Sequence, residues 1–192
     1  VNFGTLVGHS TIRRALIGET LRELTKNEMN VFSLTLRSAL AEGGFGLSVG
    51  LGYVHGRGTP YAELKTLAGI VKEYNGIDAT HLRETSYGIK GATEETIKLV
   101  KETGIKMLIN HFVPIIGTEE AYEAASAAIE ALPSDINLRF DLYPSSRLLL
   151  PLYTFLPTWV QTGGVEAMVK NINDEWLFPR IKKEMPQLDE EH

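Results

Sequence analysis

The sequence predicts an α/β fold with a parallel β-sheet, and three observations lead to this prediction. Five short, mostly apolar runs alternate strictly with four segments of helical periodicity. Apolar runs of this length are typical of parallel strands that helices cover on both faces. Polar residues collect just after the runs, at one end of the predicted strands. The alternation alone fits either an α/β barrel or an open doubly wound sheet.

The first strand and the first helix are predicted from residues 1–44. The strand is an apolar run that leads into a loop at Gly8-His9, and its members are Val1, Phe3, Leu6 and Val7. Thr20–Glu23 and Thr25–Glu28 follow, and both have the Thr-x-x-Glu spacing of a helix capping box. One apolar helix face then recurs at intervals of three and four residues until Gly43-Gly44; it consists of Met29, Phe32, Leu36 and Leu40.

The second strand, residues 45–49, leads into a glycine-rich loop that holds Tyr53 and His55. The glycines allow close approach to a ligand, but the loop has no G-x-G-x-x-G, which makes a dinucleotide site a weak prediction. Thr59-Pro60 predicts a helix start, with Thr59 as N-cap and Pro60 as the first helical residue. The buried stripe of this helix is Leu64, Leu67, Ala68 and Val71.

Two further strands, residues 77–83 and 106–112, flank a helix predicted from Thr93 to Gly104. Another helix is predicted from Gly117 to Pro133, and residues 136–142 form the fifth strand. The alternation stops after Tyr143. Two domains are therefore predicted, residues 1–144 with the βα pattern and residues 145–192 as a mainly helical segment.

Composition excludes several classes of function. The chain has 192 residues, 43% of them hydrophobic and 22% charged, which is ordinary for a soluble globular protein. A net charge of -5 argues against nucleic acid or an anionic membrane as the main partner. Because there are no cysteines, a metal site must use His, Asp, Glu or water. No run is apolar enough to span a bilayer, and a cytoplasmic location is the expectation.

His81 and His111 end the two runs that flank the helix beginning at Thr93. The C-terminal ends of adjacent parallel strands lie together, so both imidazoles point at one small volume, and imidazole is a common metal ligand. The alternative is a pair of hydrogen-bonded residues at the edge of the core. His9 is better explained as a loop anchor, and Asp141 as a residue that caps a turn. Two histidines do not complete a catalytic zinc site.

Five segments together resemble the D-aminoacylase family, the N-acyl-D-amino-acid deacylases of the metal-dependent amidohydrolases. Their order and spacing match those of the family, and they are Leu6–Arg13, Gly46–Tyr53, Thr80–Arg83, Ile109–His111 and Asp141–Pro144. Residues 156–164 also resemble the start of the family's inserted segment. The resemblance implies a partial (β/α)8 TIM-type barrel, in which residues 1–144 supply strands three to seven and a mainly helical insertion follows.

The resemblance also implies roles for individual residues. His81 and His111 match the metal ligands on the fifth and sixth strands of the family barrel. Tyr53 matches an aromatic side of the substrate pocket. Tyr143 lies in the segment that helps to hold the substrate carboxylate or the oxyanion, and Arg83 is a weaker candidate for the carboxylate. The implied cofactor is one or two zinc ions, and the implied partner is a small N-acyl amino acid or related amide.

The chain departs from the family in ways that limit these implications. The family's His-x-His, its bridging ligand and its catalytic Asp have no counterpart in the 192 residues, so this piece is expected to be inactive alone. Val113 replaces a family lysine, and Ser145 replaces a tyrosine. These changes also fit a non-catalytic binding or scaffold module. A complete flavodoxin-like sheet would be a monomer, whereas an incomplete barrel would leave open edges that favour self-association.

Overall fold

The structure, a computed structural model, describes residues 1, 3–145, 151–161 and 163–185. The chain divides into two compact units, Val1–Tyr143 and Pro144–His192. Residues 146–150 and 186–192, which belong to the predicted helical segment, lie outside the described residues.

The first unit is built on a parallel sheet whose strand order follows the chain. Its five strands in the described part of the chain are β1 (Leu6–Gly8), β2 (Gly46–Gly50), β3 (Ile77–His81), β4 (Lys106–Ile109) and β5 (Leu138–Phe140). Every neighbouring pair is parallel. The predicted α/β class with a parallel sheet is therefore confirmed. β2 has the predicted length, shifted by one residue, and the other four strands are shorter than predicted. Val1 and Phe3 are exposed and lie outside β1.

Helices connect successive strands of this sheet. They are α1 (His9–Ile17), α2 (Lys26–Ala41), α3 (Tyr61–Glu73), α4 (Ile89–Thr103) and α5 (Glu119–Glu130). The sequence predicted a loop where α1 begins, so that prediction is wrong. Thr25 caps α2: its hydroxyl accepts from the Glu28 backbone N–H, and the Glu28 carboxylate accepts from the Thr25 backbone N–H, as predicted. Thr20 does not cap a helix, because its hydroxyl donates to the Ile17 carbonyl oxygen.

The core lies between the sheet and the helices. Phe32 and Leu36 of α2 and Leu67 of α3, which the sequence predicted to be buried, are fully enclosed. Met29 of α2 is only partly buried. Met107 and Ile109 of β4 belong to the same apolar cluster. Asp78 of β3 is also buried, and it lines a cavity of about 10 Å³ together with Leu64, Thr96 and Leu99 of the covering helices. The apolar core thus fills the space between the sheet and the helices, and polar side chains such as His81 stand at the C-terminal ends of the strands.

The second unit contains short helices. They are a 3₁₀ helix (Leu152–Phe155), α6 (Thr158–Gln161), α7 (Gly164–Ile172) and α8 (Phe178–Glu184). Val160, Met168 and Ile181 are buried in it. The Gln161 amide nitrogen donates to the Leu156 carbonyl oxygen over 2.8 Å. Across the described residues of both units, no helix combines the length and apolarity that crossing a membrane would need.

Candidate metal centre

The two histidines singled out in the sequence lie at the C-terminal ends of adjacent strands. His81 is the last residue of β3, and His111 follows the end of β4 by two residues. β3 and β4 pair in parallel, with Thr80 opposite Ile109. The backbone therefore delivers both side chains to the same edge of the sheet, as the sequence predicted.

The imidazoles of His81 and His111 face each other at this edge. Nδ1 of His81 and Nε2 of His111 are hydrogen-bonded, and the ring centroids are 4.5 Å apart. A hydrogen bond between two imidazoles needs one protonated and one unprotonated nitrogen. The two ring nitrogens thus point at one location, which is the arrangement that two ligands of one metal ion require.

Burial keeps both imidazoles in the uncharged form. Burial, with smaller contributions from the nearby His111 and Arg57, lowers the pKa of His81 to about 4. Burial also lowers the pKa of His111, against an opposing effect of the Asp141 carboxylate. Near neutral pH each ring therefore carries a nitrogen lone pair, the form in which histidine binds a metal.

His111 has an unusual backbone that Asp141 holds in place. Its φ angle is 41°, in the left-handed region that side chains other than glycine seldom adopt. Its backbone N–H donates to Oδ1 of Asp141, and the Asp141 backbone N–H donates to the Ile109 carbonyl oxygen over 3.0 Å. Asp141 does cap a turn, but the turn is the one that positions His111. The signal for this role was an aspartate near the end of the predicted fifth strand.

Tyr53 covers the other side of His81. Its ring stacks on the His81 imidazole, with centroids 4.8 Å apart and planes 16° apart. His55 stacks on Tyr53 from further out, at 6.1 Å. Gly52 also lies against the imidazole, because a Cβ on Gly52 would come within 2.5 Å of Nε2 of His81. The structure thus brings Tyr53 to the pair of histidines; the contact was not foreseen from the sequence.

The other two predicted site residues are Tyr143 and Arg83, and no described hydrogen bond or ring contact joins either of them to His81 or His111. Tyr143 follows β5 and is 54% exposed. Arg83 has a different environment: its Nε and Nη2 each lie 3.0 Å from a carboxylate oxygen of Glu95. Arg83 and Glu95 line a cavity of about 630 Å³ that neither His81 nor His111 lines. A role of Arg83 in binding the substrate carboxylate stays a prediction, and its contacts favour another role.

His9, interpreted as a loop anchor, instead begins α1 and is fully buried. Its Nε2 lies 2.8 Å from Oε1 of Glu63 in α3. Nε of Arg13 donates to the same oxygen over 3.0 Å, and Nη2 of Arg13 donates to the Arg22 carbonyl oxygen over 2.8 Å. No local sequence pattern indicates this network, because Glu63 is more than fifty residues from His9.

The histidine pair suits zinc but does not complete a site. Zinc accepts imidazole nitrogen, and a catalytic site needs about three protein ligands and an open position. Within residues 1, 3–145, 151–161 and 163–185, no group of three or more His, Cys, Asp or Glu side chains is placed to hold a metal ion. The two histidines alone therefore fall short of the number of ligands that a catalytic zinc site needs.

Comparison with known proteins points to one group of enzymes. No family model matches the chain. An N-acyl-D-glutamate deacylase of Alcaligenes xylosoxydans xylosoxydans is 26% identical over 156 residues, which cover 79% of this chain and 32% of that protein. The chain thus spans about a third of the length of this relative.

Solved structures show the same similarity. A D-aminoacylase whose binuclear metal centre has been studied matches with a TM-score of 0.67 at 27% identity, over 76% of this chain and 31% of that one. An N-acyl-D-glutamate deacylase of Bordetella bronchiseptica, complexed with zinc and a phosphonate inhibitor, matches with a TM-score of 0.66 at 27% identity and the same coverage. The resemblance to the D-aminoacylase family is confirmed, and the predicted relationship of the fold to its TIM-type barrels is confirmed with it.

Proposed function

We propose that this chain is part of a metal-dependent amidohydrolase in which His81 and His111 are two of the zinc ligands. The observation that carries the proposal is the convergence of Nδ1 of His81 and Nε2 of His111 at the ends of two adjacent parallel strands. Active sites of α/β barrels lie at this end of the strands, and imidazole is a common zinc ligand. The similarity to deacylases supports the same reaction class.

The proposed reaction is hydrolysis of the amide bond of N-acyl-D-amino acids or related amides. One or two zinc ions, when bound, supply Lewis acidity to an amide carbonyl and to a water molecule. Tyr53, which stacks on His81, lines the substrate pocket in this proposal. Tyr143, largely exposed beyond β5, contacts the substrate carboxylate or the oxyanion.

The proposal assigns activity to a longer protein. The chain covers 32% of the N-acyl-D-glutamate deacylase and 31% of the D-aminoacylase that it matches. In the proposal, residues 1–144 supply strands three to seven of the barrel, residues 145–192 belong to an insertion, and other parts of the protein supply the missing ligands and the catalytic acid-base group. The 192 residues alone are then inactive.

Metal binding tests the ligand assignment. In the longer protein, His81→Ala and His111→Ala should each lower zinc affinity, measured by calorimetry, by at least about tenfold, because loss of even an outer-shell partner of a ligand costs that much. His55→Ala is the matched control, because His55 lies near Tyr53 but does not contact His111 in the described structure. Unchanged zinc affinity in both ligand variants would overturn the assignment.

Activity tests the reaction. The zinc-loaded longer protein should release the free amino acid from at least one member of a panel of N-acyl-D-glutamate, N-acyl-D-aspartate and neutral N-acyl-D-amino acids. The L-enantiomers serve as controls for stereochemistry. If the protein binds zinc but hydrolyses no amide in an extended panel, the rival function gains support, namely a non-catalytic binding or scaffold module built on an amidohydrolase barrel.

Self-association and location are further parts of the proposal. β1 and β5 are the edge strands of the described sheet, and Phe140 on β5 is partly exposed. Open edges and apolar surface favour pairing with another copy. Sedimentation velocity of the 192-residue chain should detect a species larger than the monomer at high concentration, and a monomer at every concentration would contradict this.

A cytoplasmic location stays a prediction, to be tested by cell fractionation.

A further inference from the structure

The loop between β2 and α3, residues 51–60, carries Tyr53 and consists largely of turns. Within it, the Gly56 and Arg57 backbone N–H groups donate to the Tyr53 carbonyl oxygen over 2.9 Å each, and the Thr59 N–H donates to the Gly56 carbonyl oxygen over 3.0 Å. The loop also contains Gly52, Gly56 and Gly58, which raise the entropic cost of ordering it. Contacts from outside the loop must therefore contribute to its conformation.

Leu51 and Val54 of the loop are buried, and the segment after β3 supplies polar contacts through Arg83. Nη1 of Arg83 donates to the Arg57 carbonyl oxygen, and Nη2 donates to the Thr59 carbonyl oxygen over 3.1 Å. The opposite side of the guanidinium is fixed by its two contacts with Glu95 of α4. Glu84 adds a contact 3.0 Å from the Arg57 guanidinium.

These contacts join the loop to the strand that bears His81. The Leu51 backbone N–H donates to the His81 carbonyl oxygen over 3.1 Å at one end of the loop. Arg83, two residues beyond His81, holds the other end. The loop is thus attached to one short segment at both ends, with Tyr53 between the attachments and stacked on His81.

We propose that Arg83 is a positioning residue that fastens loop 51–60 to the end of β3 and so keeps the Tyr53 ring against the His81 imidazole. Its importance for metal binding and catalysis rests on the function proposed above, whereas the attachment itself does not. Arginine suits this role because its planar fork donates in several fixed directions at once. A lysine offers one charged centre and cannot bond the Glu95 carboxylate and both carbonyl oxygens in the same geometry.

Nuclear magnetic resonance of the 192-residue chain with labelled histidine rings tests the proposal. Stacking on Tyr53 shifts the His81 ring signals, and Tyr53→Leu defines their position without the stack. Arg83→Met should move the His81 signals toward the Tyr53→Leu position, and Arg83→Lys should not restore them. Arg37→Met, which removes an exposed arginine paired with Glu73, should leave them in place. The signals of His9, whose ring lies 5.5 Å from Phe32, report whether the fold is intact.

Trypsin provides a second measurement, because it cleaves after Arg57, whose carbonyl oxygen Arg83 holds. Cleavage at this bond in the folded chain should be at least about tenfold faster in Arg83→Met than in wild type or Arg37→Met, the factor expected for loss of one hydrogen bond to a charged group. Wild-type His81 signals together with a wild-type cleavage rate in folded Arg83→Met would overturn the proposal.

If Arg83→Met does not fold, Glu95→Gln decides. This variant keeps the arginine and weakens its anchorage in α4, so a smaller displacement of the His81 signals in the same direction supports the proposal, and none overturns it. Failure of the proposed function would have a different signature. The His81 signals would still respond to Arg83→Met, while His81→Ala would leave zinc binding by the longer protein unchanged.

Discussion

Nε2 of His9 lies 2.8 Å from Oε1 of Glu63, and both side chains are almost completely buried. The same carboxylate accepts from Arg13, so that Glu63 of α3 holds two side chains of α1. Because the carboxylate and the guanidinium are both shielded from solvent, loss of either one would leave the other as an uncompensated buried charge. The helix pair therefore depends on Glu63 more than on any exposed ion pair.

Glu63→Gln should lower the free energy of unfolding by about 3 kcal/mol, because it leaves the Arg13 guanidinium buried without a charged partner. Urea unfolding followed by circular dichroism measures this. Glu73→Gln is the matched control on the same helix: its pair with Arg37 is exposed and screened by solvent, so the loss of stability should be clearly smaller. Equal effects of the two substitutions would show that the buried network adds no particular stability.

Asp78 should make stability depend on pH. Burial raises the pKa of Asp78 from 3.8 to about 7, so the folded chain binds this proton more tightly than the unfolded chain. Its contribution to the free energy of unfolding is complete below the unfolded pKa and disappears as the pH rises through 7. Between pH 4 and pH 7 the contribution should fall by about 2 to 4 kcal/mol.

The comparison with Asp78→Asn isolates this contribution, because the amide does not titrate. The difference in unfolding free energy between wild type and variant should change across this pH range and level off at lower pH. Urea titrations at pH 4, 5, 6 and 7 measure it. Parallel pH profiles for the two proteins would contradict the prediction.

Gly52→Ala should disturb the histidine pair. The added Cβ would come within 2.5 Å of Nε2 of His81 and 2.8 Å of the Leu82 carbonyl oxygen, so the imidazole or the loop must move. We expect the free energy of unfolding to fall by about 1 to 3 kcal/mol. The nuclear magnetic resonance signals of the His81 ring should shift as well. Gly69→Ala in α3 is the control, because its Cβ meets nothing within 4 Å and alanine favours a helix by up to about 1 kcal/mol. Equal unfolding free energies for Gly52→Ala and Gly69→Ala would contradict the close contact between Gly52 and His81.

Thr25→Ala and Thr20→Ala should lower the stability of the fold by different amounts, although both threonines have the same Thr-x-x-Glu spacing. Thr25 closes a capping box with Glu28, so its loss should cost about 1 kcal/mol. Thr20 donates only to the Ile17 carbonyl oxygen at an exposed position, and its loss should cost less than half as much. Thermal unfolding of both variants measures the difference.

Local rules predicted the parts of the fold that depend on nearby residues. The alternating pattern predicted the parallel sheet, and the Thr25 capping box and the buried stripe of α3 were predicted from spacing. α1 was missed because its N-cap, Gly8, makes no side-chain hydrogen bond and its first turn has no acidic residue. Its buried partner, Glu63, lies on another helix.

The start of α4 shows the same limit. The sequence placed it at Thr93, a good capping residue, but the helix begins at Ile89, one turn earlier. Ile89 is buried, and Thr93 lies inside the helix with its side chain enclosed. Packing of the first turn against the core thus outweighed the local signal. Contacts across loops, such as Tyr53 on His81, had no signature in the sequence either.

The left-handed backbone of His111 has a consequence for which residue suits this position. A φ of 41° costs a side chain with a Cβ about 1 kcal/mol, a cost that glycine avoids. Selection for thermal stability alone would therefore favour glycine or asparagine at 111. We expect histidine at 111 to lower the free energy of unfolding, but it provides a ring nitrogen that faces His81. A loss of stability of this kind is typical of residues that are retained for function. A library randomised at this codon and screened for heat resistance should lose histidine.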